Sequence, residues 1–137
     1  MEKIVRKGIA FEPEQLEQFD SLIEKKGYKN RSEAIRDLIR KEIIEKQQEN
    51  PNAIMMATLT MIYGHHEHNV QRNLTHIQHH HSELIRSTLH VHIDDKNCME
   101  VLVLNGKVKE IKRLSDAMLT EKGVKHGKLV LTKSSCS

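Results

Sequence analysis

Apolar and polar positions alternate with two different periods along this chain. Val5, Ile9 and Phe11 share one face with Lys7, and Arg6, Gly8 and Ala10 share the other, which predicts a short, imperfect strand. Leu16, Phe19, Leu22 and Ile23 then recur at helical spacing. Pro13 suits the first turn of that helix and Gly27 its left-handed stop, so the spacing predicts a helix from Pro13 to Lys26. Asn30 followed by Glu33 is a capping-box start, and Ala34, Ile35, Leu38, Ile39 and Ile43 give the next helix its apolar stripe. Glu49-Asn50-Pro51-Asn52 reads as a joint, dividing the chain into residues 1–50 and 51–137.

Beyond the joint, Ile54 to Tyr63 reads as a strand. Val70, Leu74, Ile77, His81 and Leu84 follow helical spacing up to about Ile85, and Ser87 to Ile93 reads as a strand. Asp94-Asp95-Lys96-Asn97 has turn chemistry, so Cys98 to Leu104 returns antiparallel. A helix through Val108, Ile111, Leu114, Ala117 and Met118, closed by Gly123, and a strand from Lys128 to Leu131 complete the order β-α-β-β-α-β. That order is the ferredoxin-like pattern, a sheet with both helices on one face, shared by regulatory domains of the ACT type. The fold class expected is α+β.

Composition narrows the functional classes. With 37% hydrophobic and 30% charged residues and no apolar run near the roughly 18 residues of a membrane span, no membrane association is expected. The amino terminus lacks a secretory signal, which places the chain in the cytoplasm as an expectation. Two cysteines, Cys98 and Cys136, make no disulfide framework, and a thiol near histidines in a reducing compartment reads as a ligand. A net charge of +3 gives no bulk argument for nucleic acid, so any such role must rest on local motif.

The ten histidines all fall between His65 and His126, an abrupt step that marks two modules with separate tasks. His90 and His92, two apart on a strand, present both imidazoles on one side, while Val91 points the other way, toward a core. The turn then brings Cys98 to the same place. Of Gln78-His79-His80-His81, spacing assigns His81 to packing and leaves the others open. His65, His66, His68 and His76 could form weaker surplus metal sites, but the preferred reading is a solvated polar surface, and His126 reads as structural. Two imidazoles and a thiolate with one further imidazole would suit tetrahedral zinc or planar Ni(II) or Cu(II), and geometry rather than ligand type decides.

A strand and two short helices cannot bury enough surface alone, and the strand lacks a partner. A symmetric dimer answers both needs: two strands pair antiparallel, and such a ribbon fits the major groove of DNA. The run Gly27 to Arg40 resembles the second-helix signature of ribbon-helix-helix proteins. That resemblance implies phosphate contact at Asn30, Arg31 and Ser32, where the helix terminus offers free N–H groups.

Taken together, Arg31-Ser32-Glu33-Ala34-Ile35-Arg36-Asp37, Leu89-His90-Val91-His92-Ile93, Asn97-Cys98-Met99-Glu100 and Gly123-Val124-Lys125-His126-Gly127 resemble the NikR family of nickel-responsive transcriptional regulators over nearly the whole chain. The resemblance implies a homotetramer, a dimer of dimers, that binds double-stranded operator DNA when Ni(II) is bound and represses nickel-uptake genes. It implies one Ni(II) per subunit, held in a plane by His90, His92 and Cys98 with His79 of another subunit. Gln78, Glu100 and Tyr63 are expected to orient those ligands. Glu33 and Asp37 resemble the carboxylates that hold a hard cation such as K+ between the family's two domains. Neither catalysis nor a small organic substrate is expected.

One departure stands out. Family members usually carry Arg and two hydroxyl residues on the outward ribbon face, where this chain has Arg6, Gly8 and Ala10. Arg6 can still pair with guanine, worth ~1–3 kcal/mol of discrimination, and Ala10 can touch a thymine methyl. Gly8 weakens the strand through its backbone entropy. The rival readings are a metal storage protein without operator recognition, a ribbon-helix-helix antitoxin whose second half wraps a toxin, and a metalloenzyme activating water.

Overall fold

The computed structural model describes residues 3–133, so Cys136 lies outside the described residues. The chain divides into two compact units, Met1–Ile43 and Ile44–Ser137.

In the first unit α1 spans Pro13–Lys26, and α2, Arg31–Gln47, begins there and ends just inside the second. Gly27 closes α1 with φ 87°, a left-handed geometry that costs glycine nothing, and its N–H bonds Glu24. Asn30 caps α2 by accepting the Glu33 N–H on Oδ1 at 2.9 Å. The strand expected over Val5 to Phe11 does not form: residues 3–12 have neither helix nor strand and are exposed throughout. A strand exists only through its ladder partner, and a single copy of this chain offers none. Only Ile23 of α1 and Ala34 of α2 are buried, so the two helices close no core of their own.

The second unit contains β1 (Ile54–Gly64), α3 (Val70–His80), β2 (Ile85–His92), β3 (Asn97–Lys107), α4 (Val108–Leu119) and β4 (Val124–Lys133). The four strands form one antiparallel sheet in the order β2-β3-β1-β4. This is the expected β-α-β-β-α-β arrangement. Its core face is set by period two: Met55, Ala57, Leu59, Met61 and Tyr63 of β1 and Cys98, Leu102 and Leu104 of β3 are all buried. Val70 and Leu74 of α3 and Ile111, Leu114 and Met118 of α4 close that core from above. Gly127 lets α4 approach β4, because a Cβ there would meet Leu119 Cδ2 at 2.1 Å and the Thr60 carbonyl oxygen at 2.9 Å.

Two expectations need correction. The helix expected to reach Ile85 ends at His80, and a 3₁₀ turn, Ser82–Leu84, follows it. That tighter turn swings Leu84 into the core and frees Ile85 to begin the ladder opposite Leu104. Val91 does point away from the histidine side, but not into a core: it stays 39% exposed, and Leu89 is 59% exposed on the same face. Both helices cover the opposite face of the sheet, so the face bearing Leu89, Val91 and Val130 is apolar and uncovered in the single chain.

Candidate metal centre

The β2–β3 hairpin fixes the site. Asp94 Oδ1 accepts the backbone N–H groups of Lys96 and Asn97, each at 2.8 Å, which folds the turn and sets the register. Those bonds hold the Asp94 carboxyl below the usual carboxylate range. In that register His92 sits opposite Cys98 and His90 opposite Glu100, while Cys98 is flanked on its other side by Tyr63. His90, His92, Cys98 and Glu100 therefore share the helix-covered face, at its open end beyond α3.

His65 joins them. One ligand nitrogen each from His65, His90 and His92 lie within 4.8 Å of one another. His65 Nε2 is 2.9 Å from His92 Nδ1, and the two rings stack with centroids 4.6 Å apart. His65 had read as solvated surface, because the predicted strand stopped at Tyr63. In the structure β1 ends at Gly64, but one more bond across to the hairpin follows it, the His65 N–H donating to the Lys96 carbonyl at 2.9 Å. Period two then puts His65 on the face of Tyr63, and that alternation was the available signal. Partial burial and the neighbouring imidazoles of His92, His66 and His90 push the His65 pKa down, which favours the neutral, metal-binding form.

Beneath the rings lies a polar chain. Glu100 is buried, accepts the Tyr63 hydroxyl on Oε1 at 2.8 Å and accepts the Gln78 side-chain N–H on Oε2 at 2.6 Å. His90 Nδ1 stands 3.6 Å from Glu100 Oε1, and the His90 ring meets Tyr63 edge-on at 6.1 Å. Gln78 thus ties the last turn of α3 to the sheet directly beside His90. The Cys98 thiol is fully buried. Burial raises its pKa, the hydrogen bond with Tyr63 opposes that, and the Glu100 charge adds to the rise. A metal ion would have to drive off that proton, as thiolate ligation requires.

His79, adjacent to Gln78, is exposed on α3 and is not brought to the cluster within one chain. His81 leaves the helix as its C-terminal cap, half-buried, with its N–H on the Gln78 carbonyl. An open recess of about 510 Å³ adjoins the imidazoles, bordered by His65, His66, His92, Ile93, Asp94 and Asp95.

In the first unit, Arg6, Gly8 and Ala10 lie in the exposed segment before α1. Asn30 is taken up in capping α2, and Ser32 is exposed in its first turn. Arg31 forms a two-pronged ion pair with Asp20, 2.8 Å from Nε and 2.7 Å from Nη2, which pins α2 to α1. Glu33 and Asp37 border a recess with Tyr28, Arg36 and Arg40. Asp37 already accepts the Tyr28 hydroxyl and pairs with Arg40 at 3.1 Å and Lys41 at 3.6 Å. A hard cation there would have to displace two fixed positive charges. Among the described residues no helix is long and apolar enough to cross a membrane.

Comparison with known proteins agrees with this division of labour. The family described as "NikR C terminal nickel binding domain" matches residues 56–132, and that described as "Ribbon-helix-helix protein, copG family" matches residues 9–46. A protein of Trichlorobacter lovleyi is 51% identical over 96% of this chain and 95% of its own length. One from Geobacter metallireducens is 49% identical over the same shares. A third, from Caldanaerobacter subterraneus, is 48% identical over 96% of this chain and 86% of its own length. All three bear the name "Putative nickel-responsive regulator". Among solved structures, an uncharacterised protein of Thermotoga maritima shares the fold with TM-score 0.54 and 23% identity, over 59% of this chain and all of its own. With a ribbon-helix-helix half, a nickel-binding half and relatives matched nearly end to end, the chain belongs to the NikR family of nickel-responsive transcriptional regulators.

Proposed function

We propose that this chain is a cytoplasmic, nickel-dependent regulator that binds operator DNA as a homotetramer. Residues 1–50 form the DNA-binding part and residues 51–137 the sensing and tetramerising part. One Ni(II) per subunit is held by His90, His92 and Cys98 of one copy and His79 of another. The observation that carries this reading is the hairpin register, which sets His92 against Cys98 and His90 against Glu100 on one face. The donor set fits the ion: imidazole nitrogen and thiolate sulfur suit Ni(II), which accepts a planar arrangement that zinc has no electronic reason to adopt. Bound Ni(II) supplies a fixed centre that joins ligands of two copies.

The protein's own groups do the rest. Tyr63 and Gln78 hold Glu100, whose Oε1 stands 3.6 Å from His90 Nδ1, so a small rotation of the ring would let Glu100 orient that ligand. Because Gln78 adjoins His79, the same bond that positions Glu100 also positions the ligand donated to the neighbour. Two apolar surfaces support assembly. Leu38, Ile39 and Ile43 of α2 are exposed and suit a ribbon-helix-helix dimer, and the uncovered sheet face bearing Leu89, Val91 and Val130 suits association of the sensing parts. Arg6 and the Asn30–Ser32 turn contact DNA, with Gly8 and Ala10 leaving the ribbon fewer groups that read bases. A K+ ion between Glu33 and Asp37 would require Arg40 and Lys41 to swing away first.

Nickel titrated into a gel-shift assay with the chain's own promoter DNA tests this. Retardation should appear or strengthen with nickel, and the nickel-loaded protein should sediment as a tetramer. By linkage DNA must tighten nickel binding by the same factor. Equal DNA binding with and without nickel removes the switch. Nickel uptake with no DNA binding at all would instead favour the storage reading that Gly8 and Ala10 suggest.

A further inference from the structure

Helix α3 carries a second pair of imidazoles that the nickel site does not use. His76 and His80 stand four residues apart, one above the other on the same helical face, with Nε2 atoms 3.2 Å apart and ring centroids 4.6 Å apart. Both are exposed. His79 lies between them in sequence and borders a shallow recess together with His76, and neither His76 nor His80 belongs to the cluster of His65, His90 and His92.

The separation is that of a chelate. Two nitrogens each about 2.1 Å from one ion would be about 3.0 Å apart if cis in a square or octahedron, and about 3.4 Å apart in a tetrahedron. The observed 3.2 Å lies between the two, so either geometry needs only a slight rotation of the rings. Helix α3 holds them there: its Val70 and Leu74 are buried in the core, and Gln78 bonds Glu100, so the last turn is anchored on its inner side. The helix already brings both rings close together.

We propose that His76 and His80 form a second metal site, a two-imidazole clip on the outer face of α3 that takes a borderline divalent ion such as Ni(II), with water completing its coordination. The clip has no thiolate and two fewer protein ligands than the site built on Cys98. It fills after that site, at higher metal concentration. It is independent of the nickel-sensing reading, because both of its ligands come from one helix of one copy.

Equilibrium dialysis of the full-length protein against NiCl2, with metal counted per chain, tests this beside His76→Gln and His80→Gln. The wild type should bind one more Ni(II) per chain than either variant in the weaker step, and each variant should weaken that step about ten-fold or more, since one imidazole alone loses the chelate advantage. The thiolate-to-nickel absorption band of the first step should be unchanged in both. Equal stoichiometry and affinity in wild type and variants would overturn the clip. So would loss of the thiolate band in the variants, which would place these rings in the Cys98 site. A failure of the wild type to show any thiolate band would instead strike the sensing reading and leave the clip standing on its own stoichiometry.

Discussion

The two units of this chain solve the burial problem in opposite ways. The second closes its core within one copy: β1 and β3 each present alternate residues to α3 and α4, and Leu59, Leu102, Ile111 and Leu114 are completely buried. The first buries Ile23 and Ala34 and leaves Ile4, Val5, Ile9, Leu38 and Ile39 exposed. Both follow the same hydrophobic patterning rules. What differs is that the four-stranded sheet finds its ladder partners along its own chain, while residues 3–12 find none within the single chain and form no strand. The difference also sorts the chemistry. The second unit holds a polar chain from Tyr63 through Glu100 to Gln78 in fixed register, and the first leaves most of its apolar residues at the surface.

That contrast breaks most clearly under truncation. Ile111→Ala should remove about 2–5 kcal/mol from the second unit, read as a drop in its thermal midpoint at fixed protein concentration. Ile39→Asp should leave that midpoint in place, yet make the helical signal of the first unit depend on protein concentration and lower the dimer affinity seen in sedimentation. A concentration-independent first unit would mean that it folds without a second copy, and the contrast would fail.

A smaller effect sharpens the polar side. Glu100→Gln keeps the shape but sets an amide N–H against a donor from Tyr63 or Gln78. Nickel affinity should fall by about 10–100-fold while the far-ultraviolet circular dichroism stays unchanged. An affinity equal to wild type would show that Glu100 orients no ligand.

The smallest effect separates the units by acid. The hydrogen bond and charge of Arg31 hold the Asp20 carboxyl below its ordinary value despite the opposing desolvation, so the folded first unit binds this proton less readily than the unfolded chain. The sign follows: the α1–α2 tie contributes its stability above the ordinary aspartate range and loses it as pH falls through the depressed folded value. The Tyr28–Asp37 bond acts in the same direction. Helicity of the first unit should therefore decline at more acidic pH than carboxylates usually titrate, and Arg31→Ala should move the decline toward neutral pH. Matching acid profiles for wild type and variant would show that the ion pair contributes nothing measurable, a common outcome for exposed pairs.

Much of this was legible before any coordinates. Pro13 and Gly27 bounded α1, Asn30 with Glu33 marked the start of α2, and alternation placed β1 and β3. The register that sets His92 opposite Cys98 followed from strand period and one turn, although the ring that converges with His90 and His92 is that of His65. The errors lie where a local pattern was overruled by something distant. Helical spacing through His81 and Leu84 was real, but the ladder to Leu104 claimed Ile85 and ended the helix early. Val91 looked like a core residue because alternation shows which residues share a face and not which face the helices cover. His65 was passed over because it lies in the turn just past the strand, where one further backbone bond to Lys96 still holds it on the face of Tyr63.

The sequence by itself determined the elements, their order and the presence of two imidazoles and a thiol on one hairpin, because these depend on spacing within a few residues. Only the tertiary structure decided that Glu100 joins Tyr63 to Gln78, that His65 stacks on His92, and that His76 and His80 converge to 3.2 Å. Those meetings depend on the register between strands and on the seating of α3 over the sheet, which the whole core sets together and which no short stretch of sequence encodes.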